Sequence, residues 1–393
     1  MFDNRPMERV FVAAEDRERS NGRLHYHVDS GRPAEHNLTR RLTGTLKIIK
    51  DLLLSGLTSD VGLKLLAPLR PRCASLIFMH RFAVPDLAVS GHDPAVLSEQ
   101  LEYLRRRRYS LMSLQELMDR LDEGVPLTEN ALVFTVDDGY ADFATVGAPV
   151  FAAYDCPVTV FLVTDFVSGR LWNWFDHVEW AFVHTARLEM SFDMPGGAIR
   201  LRWFNNADRV WAGEEFVERL KGVPDGVKDE LIRDLARLLE VRIPVVPPEE
   251  YAAMTWDQVR ACARSGATFG PHTVSHPILS KVEEGRSDYE IAESWRAVAH
   301  ETDAAIPVFC YPNGTLSDFS SREKASVSRA GMTAALSTIE GSLESSASGV
   351  AVPDRFALPR FPYSERKQRF VQIVSGLEAT KAKMRSRLRQ GFR

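Results

Sequence analysis

An apolar run from Leu132 to Val136 leads directly into two adjacent carboxylates, Asp137 and Asp138. Such a run predicts a buried β-strand, which places both aspartates at its carboxyl end. Two carboxylates in an apolar setting are stable only where one binds a cation or has a shifted pKa. The alternative is an ordinary capped turn, since Asp and the following Gly139 both favour strand-to-helix junctions. The pair therefore indicates either a catalytic strand end or a turn.

Two histidines four residues apart, His272 and His276, follow another short apolar stretch. Imidazoles at this spacing can face one metal ion. Zinc and similar divalent ions accept imidazole together with carboxylate, and three protein ligands leave a position open for water. Such a histidine pair also occurs by chance as two unrelated surface side chains. In combination with the aspartate pair, it favours a metal site.

Strand-like and helix-like segments alternate through most of the chain. Helix-like patterns cover 95–107, 113–122, 142–154 and 288–304, between strand-like runs at 74–79, 131–136, 158–163, 267–270, 307–311 and 332–337. This alternation predicts an α/β fold with parallel strands and crossover helices. In barrels of this kind the chemistry lies at the carboxyl ends of the strands. Asp137, Asp138, His272 and Tyr311 all stand where an apolar run ends.

Four segments, in order, resemble the motifs of the NodB-type polysaccharide deacetylases, also called carbohydrate esterase family 4. They are Thr135 to Tyr140, Gly270 to Pro277, Phe309 to Gly314 and Leu358 to Arg360. The resemblance extends from about Leu76 to Phe361, and the order and spacing of all four segments agree with the family. Val136 stands where the family usually has Phe, which removes no ligand. The resemblance implies a deformed (β/α) barrel.

The resemblance also implies a role for each motif residue. Asp138, His272 and His276 would hold a divalent ion, most simply Zn²⁺, with Ni²⁺ or Co²⁺ as alternatives. Asp137 would be the general base that acts on the metal-bound water, whose pKa the cation lowers from about 15.7 toward about 7. The oxyanion would be held by the metal and by the backbone N–H of Tyr311.

An amide deacetylase also needs a general acid, because the amine leaves poorly unless it is protonated. Many family members take this acid from a Leu-x-x-His motif near the C-terminus, but the last histidine here is His300. His80 ends the apolar run Leu76 to Met79. It resembles the early histidine of the circularly permuted branch, which includes the poly-N-acetylglucosamine deacetylases. We therefore predict His80 as the acid, with a structural histidine at a strand end as the alternative.

The candidate substrate-binding residues fall into two groups. The aromatic segment from Leu171 to His177 lies in a connection, and its rings can stack on pyranose faces or pack between helices. We predict it as a sugar-facing rim, with Trp172, Trp174 and Asp176 in contact with substrate. The third and fourth motifs add Pro312, Asn313 and Arg360.

Length and motif positions predict four regions in the 393-residue chain. Residues 1–70 form an N-terminal extension, 71–364 the deacetylase barrel and 365–393 a basic tail. Within the barrel, residues 181–250 exceed a simple crossover and predict a helical insertion that caps one side of the site.

Composition restricts the partners. The formal net charge of −4 gives no reason to expect nucleic acid. The four cysteines are scattered, which indicates reduced residues of the core. No signal peptide or membrane span is visible in the sequence. We therefore expect a cytoplasmic location. Residues 43–66 form a possible amphipathic helix, and the tail carries nine Lys or Arg against two Glu. Either segment could contact a membrane or simply pack and be solvated.

Taken together, the sequence predicts a metal-dependent enzyme that removes N-acetyl groups from a sugar in a surface polysaccharide, a glycan or a lipid-linked precursor. An O-acetyl polysaccharide esterase is one alternative, because an alkoxide leaves more readily than an amine. A carbohydrate-binding barrel without catalysis is the other. The full set Asp137, Asp138, His272 and His276 argues against it, since a pure binder needs no activated water.

Overall fold

The computed structural model describes residues 54–390 except 129–130, 347–348 and 352–353. Its strands are β1 (Arg72–Met79), β2 (Ser110–Leu111), β3 (Ala131–Val136), β4 (Val158–Leu162), β5 (Glu189–Phe192), β6 (Ile199–Arg202), β7 (Thr268–Pro271), β8 (Val308–Cys310), β9 (Ala334–Leu336), β10 (Leu343–Ser346), β11 (Gly349–Ala351) and β12 (Phe361–Pro362).

The helices alternate with these strands, as the sequence predicted. They are α1 (Asp60–Leu66), α2 (Pro94–Arg106), α3 (Leu114–Asp122), α4 (Ala148–Ala153), α5 (Thr164–Val167), α6 (Trp174–His184), α7 (Asn206–Lys221), α8 (Asp225–Leu238), α9 (Trp256–Arg264), α10 (Glu284–Glu301), α11 (Ser321–Arg329), α12 (Lys367–Val374) and α13 (Leu377–Gln390). A π-helical turn, Phe143–Gly147, precedes α4.

Parallel strands form the centre of the molecule. β1 pairs with β3, β3 with β4, β4 with β7, and β8 with β9, all in parallel. Single parallel bridges join Phe269 to Ala305, just before β8, and Leu336 to Leu358, just before β12. Because β12 pairs in parallel with β1, the succession of neighbours returns to its start. Seven of the described strands (β1, β3, β4, β7, β8, β9 and β12) thus follow one another in a cyclic order, which is consistent with the deformed barrel that the resemblance implied.

The barrel interior and the helix-covered outer face are both apolar. All six residues of β3 are buried, which is expected for a parallel strand covered on both sides. Helix α2 buries Leu97, Leu101 and Leu104 against this core, on the stripe that its sequence pattern predicts. Asp93 caps the amino end of α2 by accepting a hydrogen bond from the Ala95 N–H.

The insertion is more than helical. Helices α6, α7 and α8 pack around a hairpin of β5 and β6, which buries alternate residues such as Met190 and Phe192. The predicted helical region 181–250 therefore begins within α6 and includes an antiparallel hairpin that the prediction lacked. Because the first turn of α6 packs in the same core, the insertion in the structure comprises residues 171–250, including the connection that leads into α6. Its alternating pattern, exposed Glu189 beside buried Met190, is too short to stand out from helical periodicity.

The predicted C-terminal tail begins with a packed helix. Phe370, Val371, Ile373 and Val374 of α12 are buried in the same core as β1. The Ser75 hydroxyl of β1 also donates to the Ile373 carbonyl at 3.2 Å. The barrel unit therefore continues beyond the predicted boundary at residue 364, at least through Val374.

Candidate metal centre and catalytic site

The predicted site residues come from four separate strand ends. Asp137 and Asp138 follow β3, His272 follows β7, Tyr311 follows β8, and Arg360 precedes β12. Because the carboxyl ends of parallel strands lie at one rim, Asp137, Asp138 and His272 meet there, and Arg360 reaches Asp137 from the start of β12.

Asp138, His272 and His276 converge on a common point. Oδ1 of Asp138 lies 3.5 Å from Nε2 of His272 and 3.4 Å from Nε2 of His276. All three side chains are buried, and Oδ1 of Asp138 has no hydrogen-bond partner among the residues that the structure describes. A buried carboxylate oxygen facing two imidazole nitrogens is the donor set that zinc and similar ions prefer. The residues therefore fit the predicted divalent ion.

The orientation of His272 suits a ligand. Its Nδ1 lies 2.7 Å from the Cys310 carbonyl oxygen. A carbonyl only accepts, so Nδ1 carries the proton and Nε2 keeps a free lone pair toward the other ligands.

The loops that carry these ligands have an unusual backbone. Asp138, Thr273 and His276 have positive φ angles of 76°, 70° and 58°, where non-glycine residues are rare and strained. A side-chain hydrogen bond helps to hold the turn, because the His276 N–H donates to the Thr273 hydroxyl at 2.9 Å. Gly139, with φ 91°, has no room for a side chain, since a Cβ would lie 2.9 Å from Leu162.

Glu290 of α10 holds the histidine loop from outside the barrel. Its fully buried carboxylate accepts hydrogen bonds from the N–H groups of Val274 and Ser275 at 2.8 and 2.9 Å. It also accepts from the Ser275 hydroxyl and from Arg286. The sequence reasoning missed Glu290, because a single Glu within a helix carries no signal of this contact.

Asp137 forms a buried ion pair with Arg360. Both carboxylate oxygens accept from the guanidinium at 2.8 Å. Burial raises the pKa of Asp137, whereas the charge and hydrogen bonds of Arg360 lower it. With smaller contributions from His272 and His80, the net pKa of Asp137 lies below its ordinary value. Asp137 is therefore ionised at neutral pH and can accept a proton.

Arg360 does not stand on the rim where the sequence reasoning placed it as a substrate-binding residue. It is fully buried, and it also donates to the Thr135 hydroxyl and the Ser337 carbonyl, both at 3.0 Å. Its fifth N–H is directed at the Cys310 sulfur, at 3.1 Å from Nη2. With its donors engaged by the protein, Arg360 orients the Asp137 carboxylate.

A second group of potential ligands overlaps the first. Asp137, His272 and Cys310 also bring ligand atoms close together. Both oxygens of Asp137 are engaged by Arg360, and Nδ1 of His272 is engaged by a carbonyl. Burial also raises the pKa of the Cys310 thiol, which disfavours the thiolate that a metal requires. The Asp138 group is therefore the better candidate.

His80 lies at the mouth of the site. It follows β1 directly and is exposed. Burial raises the pKa of Asp138. The neighbouring imidazoles of His272 and His276 lower this pKa more strongly, and His80 lowers it further, so the net pKa is well below its ordinary value. His80 is thus within electrostatic reach of both aspartates and open to solvent.

An ion pair between half-buried Arg81 and buried Asp142 anchors the chain next to His80. Arg81 donates to Asp142 at 2.6 Å, and its guanidinium lies 3.9 Å from the Tyr140 ring centroid. Asp142 in turn accepts from the Phe82 N–H at 2.8 Å. These contacts, which the sequence reasoning missed, tie the end of β1 to the first motif.

Tyr311 is arranged differently from the prediction. Its backbone N–H, the predicted oxyanion donor, donates to the Leu336 carbonyl at 3.2 Å and so extends the pairing of β8 with β9. Its buried ring stacks on Phe319 at 4.0 Å. Of the neighbouring predicted contacts, Pro312 is buried, while Asn313 is half-buried with a side-chain nitrogen that lacks a hydrogen-bond partner.

The aromatic segment faces inward. Trp172, Trp174 and Asp176 are all buried, which contradicts the predicted sugar-facing rim and agrees with the helix-packing alternative. Trp172 packs against Tyr251 at 5.5 Å between ring centroids. Both Asp176 oxygens lie 2.8 Å from the Tyr140 hydroxyl, and burial raises the pKa of Asp176 well above its ordinary value. Burial of the Trp172 and Trp174 rings removes apolar surface from water, which is favourable.

Comparison with known proteins agrees with the motifs. A family model described as polysaccharide deacetylase matches residues 237–335. A segment of 63 residues is 36% identical to the poly-beta-1,6-N-acetyl-D-glucosamine N-deacetylase of Escherichia coli strain K12, and equally to that of Escherichia coli O157:H7. That segment is 16% of this chain and only 9% of the relatives' length.

Solved structures with related architecture include three deacetylases. The Streptococcus pyogenes deacetylase PplD in complex with acetate has a TM-score of 0.49 and 16% identity over 77% of this chain and 99% of that chain. The BpsB deacetylase domain from Bordetella bronchiseptica has a TM-score of 0.44 and 16% identity over 74% of this chain and 96% of that chain. IcaB from Ammonifex degensii has a TM-score of 0.47 and 13% identity over 78% of this chain and 98% of that chain. The polysaccharide deacetylase family match over residues 237–335 confirms the predicted resemblance to NodB-type polysaccharide deacetylases.

Proposed function

We propose that this protein is a carbohydrate N-deacetylase, a metal-dependent hydrolase that removes the acetyl group from an N-acetylated amino sugar. The observation that carries the proposal is the convergence of Asp138, His272 and His276 beside an ionised, buried Asp137. The family match over residues 237–335 and the similarity to a poly-N-acetylglucosamine deacetylase support the same chemistry.

One carboxylate and two imidazoles suit Zn²⁺, and Ni²⁺ or Co²⁺ accept the same donors. When bound, such an ion polarises the acetyl carbonyl and lowers the pKa of a coordinated water. Asp138 supplies the negative charge that compensates the cation. The buried setting of all three ligands strengthens these electrostatic interactions, because little water screens them.

Asp137 acts as the proton acceptor for the attacking water. Arg360 donates to both carboxylate oxygens, and the Cys310 thiol also donates to Oδ2 at 3.6 Å, so the remaining acceptor capacity of Asp137 lies on Oδ1. The bidentate pair fixes the carboxylate plane, and its lowered pKa keeps the group ionised. A general base held in this way needs no reorientation before the proton transfer.

His80 is the proposed proton donor to the leaving amine. It lies at the open end of β1, where a substrate enters, and the neighbouring Arg81 and Asp142 fix the backbone at that point. Because the His80 side chain is exposed, solvent can supply its imidazole with a proton. This role distinguishes amide hydrolysis from ester hydrolysis, in which the leaving oxygen depends less on an acid.

The substrate is an N-acetylated oligo- or polysaccharide, or a sugar attached to a lipid carrier. The deacetylase relatives are named for poly-beta-1,6-N-acetyl-D-glucosamine. We place the reaction in the cytoplasm, which is consistent with four buried cysteines that all remain free thiols. Among the described residues no helix has the length and hydropathy to span a bilayer.

Membrane contact remains part of the proposal, through residues 43–66 and the basic C-terminal segment. Residues 43–53 lie outside the described part of the chain. In α1, Val61 and Leu65 are exposed and Leu63 is buried. Helix α1 precedes the amino end of β1, and its Asp60 forms an ion pair with Arg107 at the C-terminal end of α2. The exposed Val61 and Leu65 are the described residues through which α1 would contact lipid.

The proposal is tested by measuring acetate release from N-acetylglucosamine oligomers, acetylated xylan and nucleotide- or lipid-linked N-acetyl sugars, with and without chelator and added Zn²⁺, Ni²⁺ or Co²⁺. We expect chelator-sensitive release from an N-acetyl substrate. Release from acetylated xylan alone would replace the proposal with an O-acetyl esterase. A protein that binds the oligomers without metal and without turnover would be a carbohydrate-binding barrel.

A further inference from the structure

The insertion contacts the metal-ligand group directly, through the first turn of α6. The indole N–H of Trp174 donates to the backbone carbonyl of His276 at 3.3 Å. The ring of Phe175 lies against the His276 imidazole, with 5.3 Å between centroids and an interplanar angle of 74°. Two consecutive residues of the insertion thus contact His276: Trp174 contacts its backbone, and Phe175 contacts its ring.

His276 needs such support more than His272 does. The Nδ1 atom of His272 is fixed by the Cys310 carbonyl, whereas Nδ1 of His276 is buried and has no hydrogen-bond partner in the described part of the chain. The backbone of His276 is also in the left-handed region, with φ 58°, which is strained for a non-glycine residue unless the surroundings hold it. The orientation of His276 therefore depends on packing and on bonds to its backbone.

Trp174 is itself held by a second element of the insertion. The ammonium group of Lys228, on α8, lies 4.4 Å from the centroid of the Trp174 ring and 3.0 Å from Asp225. Lys228 is almost fully buried, so this cation–π contact is poorly screened by water and of the stronger kind. A continuous series of contacts thus runs from α8 through Trp174 to His276.

We propose that the insertion is a positioning element for the metal site, in which Trp174 and Phe175 hold His276 in its ligating orientation. The inference rests on the proposed function, since it takes Asp138, His272 and His276 as metal ligands. It gives the segment that the sequence suggested as a sugar-binding rim a different role. Trp174 acts through His276 and does not contact the substrate.

The test uses Trp174→Phe, which keeps an aromatic ring but removes the N–H. Its matched control is Trp203→Phe, since the Trp203 indole N–H also donates to a backbone carbonyl, that of Arg187 at 2.8 Å, within the same insertion core. For each protein we would measure the Zn²⁺ dissociation constant by chelator competition, and the visible absorption spectrum of the Co²⁺ form. Both readouts are independent of turnover.

We expect Trp174→Phe to weaken Zn²⁺ binding about 10–100-fold, the usual range for groups that orient a metal ligand. Its Co²⁺ spectrum should change, because the band positions report ligand geometry. Trp203→Phe should retain wild-type affinity and spectrum even if its melting temperature falls. Equal behaviour of the two variants would overturn the inference.

Phe175→Leu provides a second measurement that keeps the indole bond intact. We expect a smaller loss of Zn²⁺ affinity and a Co²⁺ spectrum displaced from that of the wild type. If Trp174→Phe fails to fold, an unchanged affinity and spectrum in Phe175→Leu would overturn the inference. A wild-type protein that binds no Zn²⁺ or Co²⁺ would contradict the metal site of the proposed function itself, a result distinct from equal binding by wild type and variants.

Discussion

The barrel rim and the helical insertion differ in how far their sequence patterns predict side-chain direction. At the rim, Asp137, Asp138 and His272 follow apolar strands and lie together as predicted. In the insertion, Trp172, Trp174 and Asp176 were expected to face the substrate, but they are buried. A residue at a strand end points to one of only two faces, and the ends of parallel strands lie at the same rim. A residue in a connection can point toward any neighbouring element. The comparison teaches that chemistry at strand ends is predicted more safely than chemistry in connections.

The largest effect should come from Asp137→Asn at the rim. General acid–base catalysis contributes about 10²–10⁴-fold, and we expect a loss of kcat of that order. The metal content should remain that of the wild type, because Asp138 and the two histidines are untouched. Acetate release and elemental analysis of the purified variant measure both. Loss of the metal would show that the two aspartates have exchanged roles.

Arg360→Met should have the next largest effect, on stability. It leaves the Asp137 carboxylate buried without its partner, and breaking a buried pair costs about 3–5 kcal/mol in the free energy of unfolding. Urea denaturation measures the change. Arg200→Met provides the control, since Arg200 is exposed on β6 and its loss should cost under about 0.5 kcal/mol. A stable Arg360→Met protein with a raised KM would restore Arg360 to substrate binding.

Trp172→Ala tests the insertion side of the comparison. Removing a buried indole costs about 3 kcal/mol or more, so we expect a clear loss of stability. Phe204→Ala, which removes a largely exposed ring of the same insertion, should cost under about 0.5 kcal/mol. Thermal unfolding distinguishes the two. If Trp172→Ala instead raised KM for oligosaccharides with unchanged stability, the inward-facing arrangement would be contradicted.

His80→Ala should have the smallest of the four effects. We expect the rate of amide deacetylation to fall about 10²-fold, while hydrolysis of an acetyl ester falls much less, because an amine needs protonation to leave. Parallel rate measurements on an N-acetyl sugar and an acetyl ester give the ratio. His300→Ala, at an exposed position of α10, should leave both rates unchanged. An equal loss for amide and ester would remove the acid role.

Much of the fold was predictable because the barrel strands and their covering helices have strong local patterns. The strands 131–136 and 158–163 and helix 95–107 appear within a residue of their predicted bounds. The hairpin of β5 and β6 was not predicted, since four-residue strands in a helical context have little periodicity. Helix α12 was read as part of a basic tail, because charges on its exposed face concealed the apolar residues that it buries.

The site was only partly predictable for a similar reason. Asp138, His272 and His276 come together because the order of the parallel strands brings their ends to one rim. Tyr311 was expected to offer its N–H to an oxyanion, but whether a backbone group is free depends on where strand pairing stops. Here the Tyr311 N–H belongs to the pairing of β8 with β9, because it donates to the Leu336 carbonyl.

The sequence by itself determined which carboxylates and imidazoles lie at strand ends. It also determined which family their motifs resemble. Tertiary structure alone decided the partners. Arg360 meets Asp137 across 223 residues of chain, Glu290 reaches the histidine loop from a helix, and Trp174 reaches His276 from the insertion. The physical reason is that local periodicity encodes which face of an element is buried. The neighbour that covers this face is chosen by packing of the whole chain.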